Sequence, residues 1–202
     1  HLISLAESLR NTIDLFLQER VVNVFNLYHS SWFNLNPRQQ EMDRHLQRLM
    51  QLSDAFVDVG FMDPSGIQIG YAGPYPYLRG ENYSKEKWFR TLQEQKDNFY
   101  ISDIYMGMRR KPHFTIAVKQ IVDGQPYVMR ATLDPDKFYL FLRSIGKGKG
   151  VDSSIINKDG KYQIVDPIQG ELEGDSRIEP PVSEGSGVAE LKTKDGSDLM
   201  GC

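Results

Sequence analysis

Two runs of strand-forming residues, His113–Val122 and Gln125–Leu133, flank the dipeptide Asp123-Gly124. Asp-Gly supplies the positive φ angles of a tight hairpin turn, so the two runs pair as neighbouring antiparallel strands. A third run, Tyr100–Met106, precedes them and extends the hairpin into a meander. The middle of the chain is thereby committed to an antiparallel sheet.

The residues before the meander repeat this logic. Ala55–Met62 is strand-like, Asp63-Pro64-Ser65-Gly66 has the composition of a turn, and Ile67–Tyr71 alternates as the return strand. Gly73-Pro74-Tyr75-Pro76-Tyr77 is irregular, because its two prolines lack donors and fix φ. Ser84 is the expected cap of a short helix, Lys85–Gln95, with Trp88, Phe89 and Leu92 on one face. A helix from Pro135 to Ile145 follows the meander. At the N-terminus, Leu2, Leu5, Leu9, Ile13, Phe16, Leu17, Val21, Val24, Phe25 and Tyr28 recur every three or four residues. That spacing predicts a long amphipathic helix, which packs on its own domain, pairs with a copy of itself, or does both. Asn36 and Pro37 are the expected cap and first position of a second helix, striped by Met42, Leu46, Leu49 and Met50 and ending near Ser53. Helix, hairpin, loop, short helix and meander, in that order, is the order of a PAS-like α+β sensor module.

Gly146–Gly150 marks a boundary. Beyond it, Ser153–Asn157, the turn Lys158-Asp159-Gly160 and Lys161–Val165 weakly repeat the first hairpin. Residues 167–186 are rich in Gly, Pro, Glu and Ser and read as a loose loop. A last hairpin, Val188–Thr193 with Ser197–Gly201, turns at Asp195-Gly196. The expected division is a helical stalk at 1–53, a first module at 54–145 and a small or truncated second module at 146–202. The second is too short for an independent core, so it leans on the first or continues beyond Cys202.

The 202 residues carry a net charge of -3, which argues against a nucleic-acid partner. Arg109-Arg110-Lys111 is too short to track a phosphate backbone. One cysteine, Cys202, excludes a disulfide framework, and no apolar run is long enough to span a membrane. The chain begins at His1 without Met, which suggests a piece excised from a longer protein and leaves room for membrane anchors outside it. His29, His45 and His113 lack metal-ligand spacing, Gly146–Gly150 matches no nucleotide-binding loop, and no nucleophile–base order is present. Neither catalysis, a metal nor a cofactor is therefore expected. What remains is a set of bulky aromatics among a few charges: Tyr75, Tyr83, Trp88, Tyr105, Arg109, His113 and Asp134. Such a set suits a pocket that holds a small polar molecule without transforming it. Asp134, Tyr105 and Trp88 form a cage for an amine, or Asp134 merely caps the next helix. Arg109 and His113 hold a carboxylate, or form a solvated hairpin tip. Tyr75 and Tyr77 offer hydroxyls, or plug the core.

Several segments together carry a resemblance to one family. They are Asp14–Arg20, Tyr71–Tyr75, Asn82-Tyr83-Ser84 with Trp88-Phe89, and Ile101–Tyr105. Gly107, Arg109, Pro112–Val118, Met129–Asp134 and Ile155–Gly160 complete the series. In order and spacing the chain resembles the double Cache domains, the extracytoplasmic sensors of bacterial and archaeal signalling receptors, most of all those of membrane histidine kinases. The resemblance implies a long N-terminal helix leaving the membrane and two PAS-like modules with antiparallel sheets. The distal module would bind the ligand and the proximal one would pass the signal on. It implies a membrane-tethered receptor, dimeric through the N-terminal helix. In members that bind amino acids, a Tyr-(x)4-Arg-x-Trp-Tyr pattern holds the ligand carboxylate, and a downstream Tyr and Asp hold its ammonium. Here Trp88 and Phe89 take the Trp-Tyr places, and Tyr105 and Asp134 look like the downstream pair. Glu81 and Glu86 stand where Tyr and Arg would be, so that carboxylate clamp is absent and Arg109 or Arg130 would supply the cation. The expected ligand is an amine, an amino acid or a small carboxylate. The alternative is a ligand-free interaction or dimerisation domain of a receptor.

Overall fold

The Asp-Gly turn forms as expected. Asp123 and Gly124 both take positive φ, 50° and 76°. Strand β4 (Phe114–Val122) pairs β5 (Gln125–Leu133) from Phe114↔Leu133 to Val122↔Gln125. The other strands of this sheet are β1 (Phe56–Met62), β2 (Gln68–Ala72) and β3 (Phe99–Ile101), in the antiparallel order β2-β1-β5-β4-β3. Its helices are α1 (Leu2–Phe25), α2 (Gln39–Leu52), α3 (Lys87–Glu94) and α4 (Pro135–Gly146). This computed structural model describes residues 2–30, 33–146, 153–180, 189–192 and 198–201. The chain divides into two compact units, Glu19–Lys137 and His1–Gln18 with Phe138–Cys202.

Three local expectations need correction. The strand expected at Tyr100–Met106 stops at Ile101. The Ser102 hydroxyl takes the Thr115 N–H that a strand carbonyl would take, so the ladder breaks, and Tyr105 returns only as a single bridge to His113. Helix α2 is capped at Arg38 rather than Asn36: Glu41 reaches back and accepts the Arg38 N–H at 2.6 Å. Ser84 does not cap α3, which starts after Glu86; its N–H is held by the Asn82 side chain at 2.8 Å. Helix α1 is as long as its stripe predicts and tightens into a 3₁₀ turn at Asn26–His29.

The sheet of the Glu19–Lys137 unit has two different faces. Val59, Phe61, Ile116, Val118, Met129, Ala131 and Leu133 are buried and alternate onto one face. There Phe61 meets Tyr28 and Phe33, stacks on Tyr127 at 5.8 Å, and α2 packs against β1 and β2. Gly70 permits this approach, because a Cβ would lie 2.8 Å from Met42 Sδ and Pro37 Cγ. On the other face Met62, Trp88, Phe89, Leu92, Ala117 and Val128 form a second core beneath α3.

In the other unit, Phe16 of α1 stacks on Phe138 and Phe141 of α4, and Tyr139 donates to Asp166 at 2.8 Å. Strands β6 (Ile155–Ile156) and β7 (Tyr162–Ile164) repeat the first hairpin in detail. Asp63 Oδ1 accepts the N–H groups of Ser65 and Ile67, and Asn157 Oδ1 those of Asp159 and Lys161. Gly66 and Gly160 follow at φ 89° and 72°. In each copy the outer strand is bridged by a later segment, Ile67↔Asn82 and Lys161↔Asp175. Strands β8 (Ala189–Lys192) and β9 (Asp198–Gly201) pair as the last hairpin. The expected linker at 147–150, the loop from 181 and the Asp195-Gly196 turn lie outside the described residues.

Gly70→Ala should destabilise the domain by about 1–3 kcal/mol, since the added methyl overpacks the α2 contact. Leu52→Ala, at an exposed site on α2, should stay within about 0.5 kcal/mol. Urea unfolding followed by circular dichroism measures both; equal effects would show that α2 does not sit against Gly70.

Candidate functional site

The second face of the sheet carries charge at its centre. Register places Asp58, Thr132 and Thr115 side by side in one row, and Gly60, Arg130 and Ala117 in the next. Side chains two apart on a strand share a face, so both rows point away from α2. Arg130 is flanked by two small residues, Gly60 and Ala117, which leaves room for its guanidinium to lie across the strands. At Gly60 a Cβ would stand 1.9 Å from Gln68 Oε1, the oxygen that accepts from Arg130 Nε at 2.9 Å.

Asp58 is fully buried and is the hub of this cluster. One carboxylate oxygen accepts from Arg130 at 3.1 Å and from the Thr132 hydroxyl at 2.6 Å. The other accepts from the Tyr71 hydroxyl at 3.0 Å and faces Arg109 at 3.6 Å. Arg109 also donates to Thr132 at 2.9 Å, and Arg130 to Tyr83 at 3.4 Å. Burial, the largest single effect, would lower Arg130, but Asp58 together with Tyr83, Tyr105 and Tyr71 outweighs it and holds the guanidinium above its ordinary pKa. Burial, reinforced by Asp58, raises Tyr71, so its hydroxyl keeps the proton it donates.

Two connecting segments cover the cluster. The first follows β2. Gly73, at φ 152°, passes so close that a Cβ would lie 2.4 Å from Asp58 Cβ, and the Tyr75 N–H donates to Tyr71 at 3.1 Å. Gln68 fixes the same segment further along by donating to the Leu78 carbonyl at 2.7 Å. The second follows β3 and turns tightly at Gly107 and Arg110, both at φ 56°. It delivers Met108 and Arg109. The Tyr75 ring spans the segments, with Arg109 at 5.4 Å and Lys111 at 5.9 Å.

Between cover and cluster lies a cavity of about 10 Å³, lined by Leu78, Tyr83, Glu86, Tyr105, Met108, Arg109, His113 and Arg130. That is room for about one water. The structure thus brings four of the expected site residues, Tyr83, Tyr105, Arg109 and His113, around one cavity. Tyr105 donates to or accepts from Thr115 at 2.6 Å and packs on the His113 ring at 4.4 Å. His113 Nδ1 lies 2.7 Å from the Lys111 carbonyl; a neutral ring donating there keeps its Nε2 lone pair free to accept. Burial, then Arg109, pushes His113 down to about 4, so it is neutral at pH 7. Burial raises Glu86 above the usual carboxylate range.

Three expected residues stand elsewhere. Tyr75 belongs to the cover rather than the lining. Trp88 is buried in the core between Tyr83 and Phe89, and its Nε1 meets no partner among the described residues. Asp134 accepts the Asp136 N–H at 2.9 Å and so caps the first turn of α4. The residues that sequence reasoning passed over are Asp58, Thr132, Tyr71, Gln68, Glu86 (seen only as a missing Arg) and Met108. A signal existed for the first: a carboxylate in the middle of the apolar run Phe56–Met62 is out of place unless it is paired.

No protein-family model matches this chain, and no curated protein matches it. Solved structures do. An extracellular ligand-binding receptor from Desulfohalobium retbaense superposes with a TM-score of 0.72 at 12% identity, over 97% of this chain and 38% of that one. The ligand-binding domain of the Pseudomonas aeruginosa amino acid chemoreceptor PctB, in complex with L-Arg, gives 0.65 at 17% identity, over 98% and 77%. The extracellular domain of rpHK1S-Z16, described as a histidine kinase, gives 0.69 at 17% identity, over 98% and 84%. The chain therefore has the α+β fold of receptor sensor domains, the fold that its resemblance to double Cache domains implies. It spans little more than a third of the first of these receptors.

Asp58→Ala should cost about 3–5 kcal/mol, because it strands two buried guanidiniums. A loss under about 1 kcal/mol in urea unfolding would show the cluster to be hydrated instead. His45, buried on α2, is also pushed down by burial to about 4. Both imidazoles ordinarily titrate near 6.5, so between those values the unfolded chain binds protons that the folded one refuses. Their contribution to stability is complete above pH 6.5 and is lost as pH falls toward 4. The urea midpoint should drop over that window, and two histidine Cε1–H signals should titrate near its lower end; ordinary titration of both rings would refute their burial.

Proposed function

We propose that this chain is the extracytoplasmic sensor domain of a transmembrane signalling receptor, most simply a two-component histidine kinase. It holds a small polar molecule without transforming it, at the cavity against Arg109, Arg130, Tyr83, Tyr105 and His113. The observation that carries this reading is the cluster itself: buried charges and aromatic rings converge on one cavity, covered by two segments hydrogen-bonded to the same residues. Folded cores do not place ionised groups at a cavity without cost. The sensor folds of the neighbours support the same reading. The ligand-binding module would comprise 54–145, with 1–53 as stalk and 146–202 as the membrane-proximal part.

Binding would change the cover. A ligand acts through its unequal affinity for two arrangements, and here the cover segments carry that difference. Transmission through a dimer of α1 is supported by Ser4, Ser8, Asn11, Leu15, Gln18 and Val22. All are exposed, and their spacing alternates four and three, as in the seam of paired helices. One observation favours the alternative of a ligand-free dimerisation domain: the cavity is only about 10 Å³.

A thermal-shift screen with amines, amino acids and small carboxylates separates the two. A ligand at a hundred times its Kd should stabilise the domain by about 2.7 kcal/mol, a shift of several degrees. The shift should vanish in Tyr105→Ala. No shift with any compound, together with a tight dimer in sedimentation, would establish the alternative.

A further inference from the structure

The two buried arginines of the site are not in the same condition. Arg130 directs Nε to Gln68, Nη1 to Asp58 and Nη2 to Tyr83. Arg109 reaches Thr132 and Asp58 through Nη1, but its Nε–H is buried and meets no acceptor among the described residues. Its side chain is only 5% exposed, and it lines the cavity. A buried charged donor without an acceptor is costly, and a group that lines a cavity can be satisfied by what enters it. The charge balance points the same way. Two buried guanidiniums share one fully buried carboxylate, Asp58, with the half-buried Glu86 as the other acid at the cavity, while His113 adds no charge at neutral pH.

Resting on the ligand-binding reading above, we infer that the molecule this site takes is a small monocarboxylate. Its oxygen accepts from Arg109 Nε–H, and its short apolar body lies against Met108 and Leu78. The side edge of a guanidinium matches a carboxylate in plane and spacing. A phosphate or sulfate dianion needs more donors than one edge supplies, since each nitrogen of Arg130 already has a partner. Glu86 on the same wall opposes a second negative charge. An amine would have to enter beside two guanidiniums. Entry requires the cavity to widen beyond its about 10 Å³, and on this inference that movement falls to the short turn that carries Met108 and Arg109 between Gly107 and Arg110.

The test is a titration of the ¹⁵N-arginine-labelled domain with sodium propionate, beside methylamine, inorganic phosphate and glycine. The Arg109 Nε–H signal, identified by its loss in Arg109→Lys, should move with propionate and not with methylamine or phosphate. Calorimetric affinity for propionate should fall about tenfold or more in Arg109→Lys and should hold or rise in Glu86→Gln. If Arg109→Lys fails to fold, the wild-type signal, assigned through its contacts to Thr132, still decides. Equal propionate binding by wild type and Arg109→Lys would overturn the inference, as would binding of glycine or methylamine alone, and both would leave the sensor reading standing. Silence from every compound in both heat and Nε–H shift would overturn this inference, while the sensor reading would fall only with the wider thermal-shift screen.

Discussion

The ion pair between Asp58 and Arg130 decides how the central sheet must be built. A carboxylate with no exposure forfeits several kcal/mol of hydration, which only well-placed donors offset. Asp58 finds them on three elements: Arg130 and Thr132 on β5, Tyr71 on β2 and Arg109 on the segment after β3. Strand pairing that slipped by one residue would turn Asp58 to the apolar face of Met129 and Ala131 and leave two arginines stranded. The pair therefore acts chiefly on specificity. It costs more than a hydrophobic pair in the same place, but it tolerates one register.

The same requirement dictates what covers the sheet. A polar centre cannot be sealed by an apolar helix, so α3 stops short of it and covers only the Trp88–Val128 end. Two irregular segments close the rest, and each is tied to the cluster by its own hydrogen bonds: Tyr75 to Tyr71, Leu78 to Gln68, Arg109 to Thr132. Whatever perturbs the cluster also loosens its cover. On the proposed function this coupling is the route by which a molecule in the cavity acts on its surroundings, and it needs no long-range chain of contacts.

Much of this was legible in the residues. Asp123-Gly124 announced the long hairpin, the stripe from Leu2 to Tyr28 announced α1, and the repeat of Asp63–Gly66 at Asn157–Gly160 proved to be a repeat of hydrogen bonds. These signals are local: turn chemistry and periodicity act over a few residues. The site was legible only in part. Tyr83, Tyr105, Arg109 and His113 lie within one stretch and meet at one cavity. Asp58 stayed hidden because its role depends on Arg130 and Thr132, more than seventy positions away. Asp134 and Trp88 each had two physically sound uses, a cap or a cage, a core or a wall. Sequence cannot choose between them, since the choice depends on which neighbour arrives first in space.

The internal repeat shows which part of a module is backbone and which is chemistry. The turn positions recur with their geometry intact, because a left-handed glycine and a side chain that captures two amides answer demands of the backbone alone. The cluster positions do not recur. Where the first copy has Gln68, Tyr71 and Tyr83, the equivalent places in the second are Tyr162, Val165 and Ser176. Gln68 and Tyr71 are useful only because β1 and β5 present Asp58 and Arg130 to them. Among the described residues the second hairpin has no counterpart of β5 that would pair a charged residue in its strands. A duplicated hairpin thus keeps its fold by itself, whereas a buried charge persists only where every partner persists, which confines the ionic site to the Glu19–Lys137 unit.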